Sequence, residues 1–409
     1  MHRILFVEPA SVPGGSVVSL YYLVRGLDRS RYQPVVLLSP GNPWLDRFRA
    51  LGIEVLAQDT YRRPDDTSTM KRVKRGVVSR GLRTWRWGRG LYRSAGFWWR
   101  ILGQTCPQAV GIGRLIRRQR IDLVHTNWRL GCDRPGILGA HLAGVPCVAH
   151  IRAFEQLNGL DRFLSRWVTV HVFISRSLEK NLREQGAHLR DSVVVYNGLD
   201  PADFAADNSA AEVKAEFGFD VADQVVAVIG RLDRWKGQEY FLQAMAQVIQ
   251  SVPGARALIV GDPEPYCPDY HQELRVLAES PGLSGRVVFA GYRSDTPRLM
   301  RGVDVLVHSS SEPEPFGRVI IEGMAAELPV VATDAGAVPE IIEDGVSGVL
   351  VPARDPGAMA DAIAGLLKDP QRRSRMGAKG RERVERQFTV KQYVDGVERV
   401  YRRVLGDEG

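Results

Sequence analysis

Short runs rich in Val, Ile and Leu, separated by polar turns and several amphipathic stretches, repeat along the chain in two series. The first comprises Arg3–Val7, Pro34–Leu38, Leu123–Thr126, Cys147–Ile151 and Thr169–Ile174. The second comprises Val225–Ile229, Ala257–Val260, Val287–Ala290, Val303–His308 and Val330–Ala332. Unbroken apolar runs of this length suit strands covered on both faces, and such strands alternating with helical spacers build parallel sheets. Two series therefore predict two doubly wound α/β domains. The stretch Tyr196-Asn197-Gly198-Leu199-Asp200-Pro201 carries dense turn chemistry between them and is the expected hinge. Past Pro352 the pattern is helical, and Thr389–Leu405 places Tyr393, Val397, Val400 and Val404 at helical spacing. The expected organisation is a first domain over 1–197, a second over 198–388 and a terminal helix over 389–409.

A chain of 409 residues exceeds what one hydrophobic core usually supports, which agrees with that division. The opening Met1-His2-Arg3-Ile4-Leu5-Phe6-Val7 is too short an apolar run for a signal peptide, and no window offers eighteen uninterrupted apolar residues. A protein made and kept in the cytoplasm, soluble or peripheral on the membrane's inner face, is expected. Cys106, Cys132, Cys147 and Cys267 are scattered without metal-like spacing and read as reduced, mostly buried thiols. The net charge of +8 is uneven: from Tyr61 to Arg120 there are sixteen Lys and Arg against two acids, so the remainder of the chain is mildly acidic. One basic segment in such a chain points to a local anionic partner rather than to nucleic acid.

Three segments carry candidate chemistry. Val228-Ile229-Gly230-Arg231-Leu232-Asp233-Arg234-Trp235-Lys236-Gly237 leaves a buried strand and enters a helix near Gln238, so Arg231 and Lys236 lie where cations and a helix amino terminus make a phosphate site. Ordinary surface cations are the bland alternative. In Ser311-Glu312-Pro313-Glu314-Pro315-Phe316-Gly317, the Pro-Phe-Gly turn predicts that Glu314 lies in a loop and Glu322 one to two turns inside the following helix. Eight residues of continuous helix would separate the two by about 12 Å, too far for a shared proton. Each can hold a different part of one long ligand, although acid pairs at this spacing are also common on solvated helices. Gly14-Gly15 follows the first strand, where backbone N–H groups can approach a ligand closely or simply form a turn.

Glu-x7-Glu, Gly-Arg-Leu with Lys-Gly, and the first-loop Gly-Gly together resemble the retaining family 4 glycosyltransferases. The resemblance spans nearly the whole chain and is strongest from Val225 to Val351. It implies the GT-B fold, two Rossmann-like domains with parallel sheets facing a cleft, and a terminal helix that crosses back to the first domain. It implies that Arg231 and Lys236 clamp the donor pyrophosphate, that Glu314 faces the donor sugar, and that Glu322 accepts from the nucleotide ribose. Phe316 and Gly317 would offer backbone contacts, Tyr292 would border the nucleotide, and Gly14 and Gly15 would face the donor phosphates or the acceptor. Asp262 and Arg293 fit direct contact or turn formation equally. The implied activity is transfer of a hexosyl unit from a nucleotide-diphosphate sugar to a hydroxyl of a glycan or lipid-linked saccharide, in cell-envelope polysaccharide synthesis. No cofactor is implied beyond the nucleotide sugar, and with no suitably placed Asp-x-Asp motif metal independence is expected. A nucleotide-sugar epimerase of the same fold is the alternative, and a non-catalytic sugar-nucleotide sensor has less support.

The chain departs from the family at Val145–Arg152. Many members carry a His-Asp pair at this strand end, whereas here the His slot holds Arg152 and His150 lies two residues earlier. Alternation keeps both on one strand face, so either could reach the donor or acceptor; Arg152 is favoured, and His150 fits a packed core position equally well. His125 and Asn127, at the end of another strand, could border the acceptor, or His125 could be satisfied by backbone. From Lys71 to Arg100, cations alternate with Trp85, Trp87, Tyr92, Phe97, Trp98 and Trp99, a mixture suited to an anionic membrane surface. A solvated charged helix and an RNA-binding patch are the alternatives there.

Overall fold

The computed structural model describes residues 1–9, 14–57, 101–205, 209–263 and 267–407. The basic segment Lys71–Arg100 therefore lies outside the described residues, as does much of the loop that leads to Gly14. The chain divides into two compact units. The first takes Met1–Ile174, Leu178–Val195 and the chain from Val394 on; the second takes Ser175–Ser177 and Tyr196–Tyr393.

The first unit is built on seven strands, β1 (His2–Glu8), β2 (Tyr32–Leu38), β3 (Glu54–Ala57), β4 (Leu123–Thr126), β5 (Cys147–Ile151), β6 (Val170–Phe173) and β7 (Ser192–Val194). They pair in parallel in the order β3-β2-β1-β4-β5-β6-β7. The order reverses between β1 and β4, so their carboxyl ends flank the crevice where open α/β sheets take ligands. Ile4, Leu5, Phe6 and Val7 of β1 are all fully buried, as continuous apolar runs require when helices cover both faces.

The second unit repeats the plan with β8 (Gln224–Ile229), β9 (Ala255–Val260), β10 (Val287–Gly291), β11 (Val305–His308), β12 (Val330–Thr333) and β13 (Val349–Val351). All pairs are parallel, in the order β10-β9-β8-β11-β12-β13. The switch point here lies between β8 and β11. One side of the sheet packs Val226, Val228, Ile259, Val305 and Val307 with Phe241 and Met245 of the helix Gln238–Ser251 and with Met359 and Ile363 of the helix Pro356–Lys368. The helix Arg318–Ala325 leans on Pro370–Gln387, where Gly380 meets Met324 and a Cβ at Gly377 would overlap the Glu327 carbonyl.

Strands β3, β7 and β13 escaped the hydrophobic pattern. They are edge strands of three or four residues, half-buried at most positions, and so lack the long apolar signature.

The last helix, Val390–Leu405, contributes to the first unit from Val394 onward. Val397, Val400 and Tyr401 are buried along one stripe, while Val404 is only half-buried, so Tyr401 is a principal anchor. Its hydroxyl lies 2.7 Å from Nδ1 of His125, a fully buried residue of β4.

Two stability predictions follow from this packing. Tyr401→Phe leaves the His125 nitrogen buried without its donor and should cost about 1–3 kcal/mol, read as a lower urea midpoint at unchanged slope. Gly377→Ala gains about 1 kcal/mol of helix propensity but loses about 1–3 kcal/mol or more to overpacking against a rigid carbonyl, so its midpoint should also fall.

Candidate active site

At the carboxyl edge of the second sheet, three loops are laced together. The turn Arg234–Lys236 after β8 is held against the segment after β11: Ser311 N donates to the Trp235 carbonyl at 2.8 Å and Ser309 Oγ to the Lys236 carbonyl at 2.9 Å. Gly237, at φ 66°, ends that turn, and a Cβ there would overlap the Ser309 carbonyl, so both its conformation and its space demand glycine. The loop after β12 joins through Thr333 Oγ1, which donates to the Ser310 carbonyl at 2.8 Å. Gly336, at φ 68°, presses its backbone on Glu314, whose carbonyl accepts from Ala337 N at 2.9 Å.

Glu314 sits at the centre of this lacing, about 7% exposed. Its Oε2 accepts from Lys236 Nζ at 2.6 Å, from His308 Nε2 at 3.0 Å and from Ser310 Oγ at 3.2 Å. Burial by itself would raise the carboxyl, but the Lys236 charge and the His308 hydrogen bond outweigh it and hold Glu314 well below the usual carboxylate range. It is a fixed anion at any physiological pH. Lys236, expected to clamp phosphate, is thus paired with the carboxylate expected to face the sugar, and its ammonium also lies 4.0 Å from the Trp235 ring centroid.

The other expected donor residues surround this centre in different ways. Arg231 is exposed at the carboxyl end of β8, and its carbonyl accepts from Gln238 Nε2 at 2.8 Å. Glu322 is half-buried at the fifth position of the helix Arg318–Ala325, with Arg318 at 3.5 Å. Gly317 caps that helix at φ 96° with no side-chain cap, and Gly237 likewise opens Gln238–Ser251, where Glu239 N donates to the Tyr270 hydroxyl at 3.3 Å. Phe316 is buried against Tyr196 and Phe388, which leaves its backbone rather than its ring available. Tyr292 is 70% exposed, and its N–H donates to Asp262 Oδ1 at 3.0 Å, so Asp262 shapes this loop. Arg293 pairs with Glu216 and Asp295, a structural role that accounts for it as a turn residue.

In the first unit, the four residues expected on the acceptor side form one buried chain. Arg152 Nε donates to Asn127 Oδ1 at 2.7 Å, and Asn127 Nδ2 donates to the buried Glu8 carboxylate and to the Ser16 carbonyl. Arg152 also reaches His150 Nδ1 at 3.2 Å, and His150 Nδ1 lies 3.3 Å from His125 Nε2. Because a guanidinium can only donate, His150 Nδ1 is an acceptor; His125 Nε2 must then carry its proton, and Tyr401 donates to His125 Nδ1. Burial, reinforced by the Arg152 charge, holds both histidines well below their ordinary values, so both are neutral. His150 and His125 are interior links, each wholly buried, and His125 is satisfied by side chains rather than by backbone. Gly15 opens the helix Gly15–Gly26, capped by Gly14 without a side-chain bond. Gly14 has an extended backbone that any residue adopts, and a Cβ there would meet nothing among the described residues.

Sequence reasoning missed Glu8, His308, Ser310 and Tyr401. Glu8 and His308 end β1 and β11, the strands that flank the two switch points, and the logic that singles out Arg231 applies equally to them. Tyr401 lies 276 residues from its partner His125, and no local pattern links them. Of the four cysteines, Cys132 and Cys147 are buried and Cys106 and Cys267 half-buried; none forms a disulfide. Among the described residues no group of His, Cys, Asp or Glu is arranged to hold a metal, and no helix is long and apolar enough to cross a membrane.

Comparison with known proteins follows this division of the chain. Residues 13–203 match the family described as Glycosyltransferase Family 4, and residues 209–383 the family described as Glycosyl transferases group 1. N-acetyl-alpha-D-glucosaminyl L-malate synthase of Bacillus anthracis is 27% identical over 311 residues, which cover 73% of this chain and 78% of that protein. The lipopolysaccharide core biosynthesis mannosyltransferase LpsB of Rhizobium meliloti is 29% identical over 216 residues, 52% of this chain and 61% of its own. The crystal structure of Anabaena HepE in complex with UDP-glucose superposes with a TM-score of 0.80 at 25% identity, covering 98% of this chain and 99% of that one. With one glycosyltransferase domain matched in each unit and this fold around them, the chain is a nucleotide-sugar glycosyltransferase of the GT-B type.

Proposed function

We propose that the protein is a retaining, metal-independent glycosyltransferase that moves a hexosyl unit from a nucleotide-diphosphate sugar to a hydroxyl of a glycan or lipid-linked saccharide of the cell envelope. The observation that carries this reading is the pairing of half-buried Lys236 with buried Glu314 at the switch point of the second sheet, flanked by two helix amino termini capped by glycine. The UDP-glucose bound by HepE and the lipopolysaccharide role of LpsB support the donor and acceptor classes.

In this reading the donor pyrophosphate lies against Arg231, Lys236 and the N–H groups that open Gln238–Ser251 and Arg318–Ala325. Glu322 accepts from the ribose hydroxyls, and the backbone at Tyr292, Phe316 and Gly317 lines the nucleotide and sugar. Glu314 accepts from sugar hydroxyls and orients the anomeric carbon. When the glycosidic C–O bond breaks, the electron pair goes to the leaving phosphate, and Lys236 and Arg231 stabilise the charge that builds there. The acceptor hydroxyl attacks from the same face and passes its proton to that departing phosphate oxygen, so no separate base is required. Arg152, backed by Asn127, His150 and His125, contacts the sugar or acceptor from the first unit, and Gly14 and Gly15 face the donor phosphates or the acceptor. The cation- and tryptophan-rich segment Lys71–Arg100 docks the protein on an anionic membrane surface.

Purified protein should hydrolyse one member of a panel of UDP-, GDP- and ADP-sugars slowly in EDTA, and Lys236→Ala and Glu314→Ala should each lower that rate about 10²–10³-fold. Proton NMR of the first-formed sugar should show the donor's anomeric configuration. Dependence on added Mg²⁺ or an inverted product would overturn metal independence or retention respectively, and isomerised donor would identify an epimerase. Deleting Lys71–Arg100 should abolish sedimentation with phosphatidylglycerol liposomes; unchanged sedimentation would remove the membrane assignment.

A further inference from the structure

All three side-chain donors to Glu314 converge on one oxygen. Lys236, His308 and Ser310 each bond Oε2, and among the described residues no donor reaches Oε1. The backbone of Glu314 is also immobile, because Ala337 N bonds its carbonyl and Gly336 packs against its amide. A carboxylate held at its main chain and at one oxygen cannot rotate to exchange its two oxygens, so Oε1 is the atom left for a ligand hydroxyl.

The three donors are not equivalent. Lys236 is the flexible one, and a bound diphosphate competes with Glu314 for its ammonium. Ser310 has a single proton and a longer contact, and its Oγ lies 3.1 Å from His308 Nε2 as well. His308 is rigid, 3% exposed, and ends a central strand of the sheet. Since an ionised carboxylate only accepts, Nε2 must carry the proton. Nδ1 has no hydrogen-bond partner among the described residues, so the local structure uses this imidazole for one directed N–H.

We propose that His308 is a positioning residue for glycosyl transfer: its Nε2–H holds Oε2 of Glu314 so that Oε1 stays aimed at the donor sugar when the diphosphate draws Lys236 away. The proposal rests on the reading of Glu314 as the sugar contact, and it assigns to the strand end a task that neither Lys236 nor Ser310 can perform alone. A glutamine at 308 carries an N–H donor at the reach of Nε2, whereas leucine fills a similar volume without one.

The test compares His308→Leu, His308→Gln and Glu314→Ala in hydrolysis of UDP-glucose, or of whichever panel sugar turns over, alongside calorimetric binding of UDP. His308→Leu should lower kcat about ten- to a hundredfold, the range for losing a hydrogen bond to a charged group, with UDP affinity within about twofold of wild type. His308→Gln should stay within about threefold of wild-type kcat. A purely structural histidine would instead lower UDP binding and kcat together in both variants, or leave both unchanged, and either pattern overturns the proposal. If Glu314→Ala hydrolyses donor normally, the sugar-contact reading fails and the proposal with it; if Glu314→Ala is inactive while His308→Leu is wild type, the proposal alone fails. Should His308→Leu not fold, His308→Gln compared with His308→Asn, whose shorter amide cannot reach Oε2, replaces it: equal kcat in the two would overturn the proposal.

Discussion

The pairing of half-buried Lys236 with buried Glu314 is the interaction on which the second unit's carboxyl edge is organised. Taking a carboxylate and an ammonium out of water costs several kcal/mol each, and the pair survives only where geometry is good and the remaining valences are satisfied. Here the 2.6 Å contact, His308 and Ser310 supply that satisfaction. Once both side chains must meet, the loops that carry them must approach closely. That requirement accounts for Gly237 beneath the Ser309 carbonyl and Gly336 against the Glu314 backbone, both in left-handed conformations.

The first unit holds its own charged side chain through polar neighbours. Arg152 is nearly buried and is linked to the buried Glu8 through the Asn127 amide, with His150 taking a further guanidinium proton. Because Arg152 can only donate, it sets the direction of every hydrogen bond back to Tyr401. The terminal helix is thereby tied into the interior of the first unit by a polar contact as well as by Val397 and Val400. At both switch points a polar residue ends a central strand and helps hold a charged group: Glu8 holds Arg152 through Asn127, and His308 holds Glu314 in the loop that follows its own strand.

Much of this was legible in the chain. The five longer apolar runs of each series became strands, because burial on both faces leaves an unbroken hydrophobic signature, while the short edge strands β3, β7 and β13 carry no such mark. Arg231, Lys236, Glu314 and Glu322 could be singled out because each lies at a fixed offset from a strand end or a turn. His125, Asn127, His150 and Arg152 could be grouped by the same strand-end logic. What each one does was harder to read: His150 and His125 are internal links, Arg293 is an ion-pair partner of Glu216 and Asp295, and Phe316 is a buried packing anchor.

By itself the sequence determined two parallel α/β units, because the period of its apolar runs admits few other folds, and it determined where the strand-end loops with Arg231, Lys236 and Glu314 fall along the chain. Only the tertiary structure decided which charges meet. Lys236 and Glu314 are 78 residues apart, Asn127 and Glu8 are 119, and Tyr401 and His125 are 276. Periodicity reports which face of an element is buried but is blind to which side chain waits across the gap. Hydrogen-bond partnership depends on distances of a few tenths of an ångström, and those are set by strand order and loop lacing rather than by spacing along the chain.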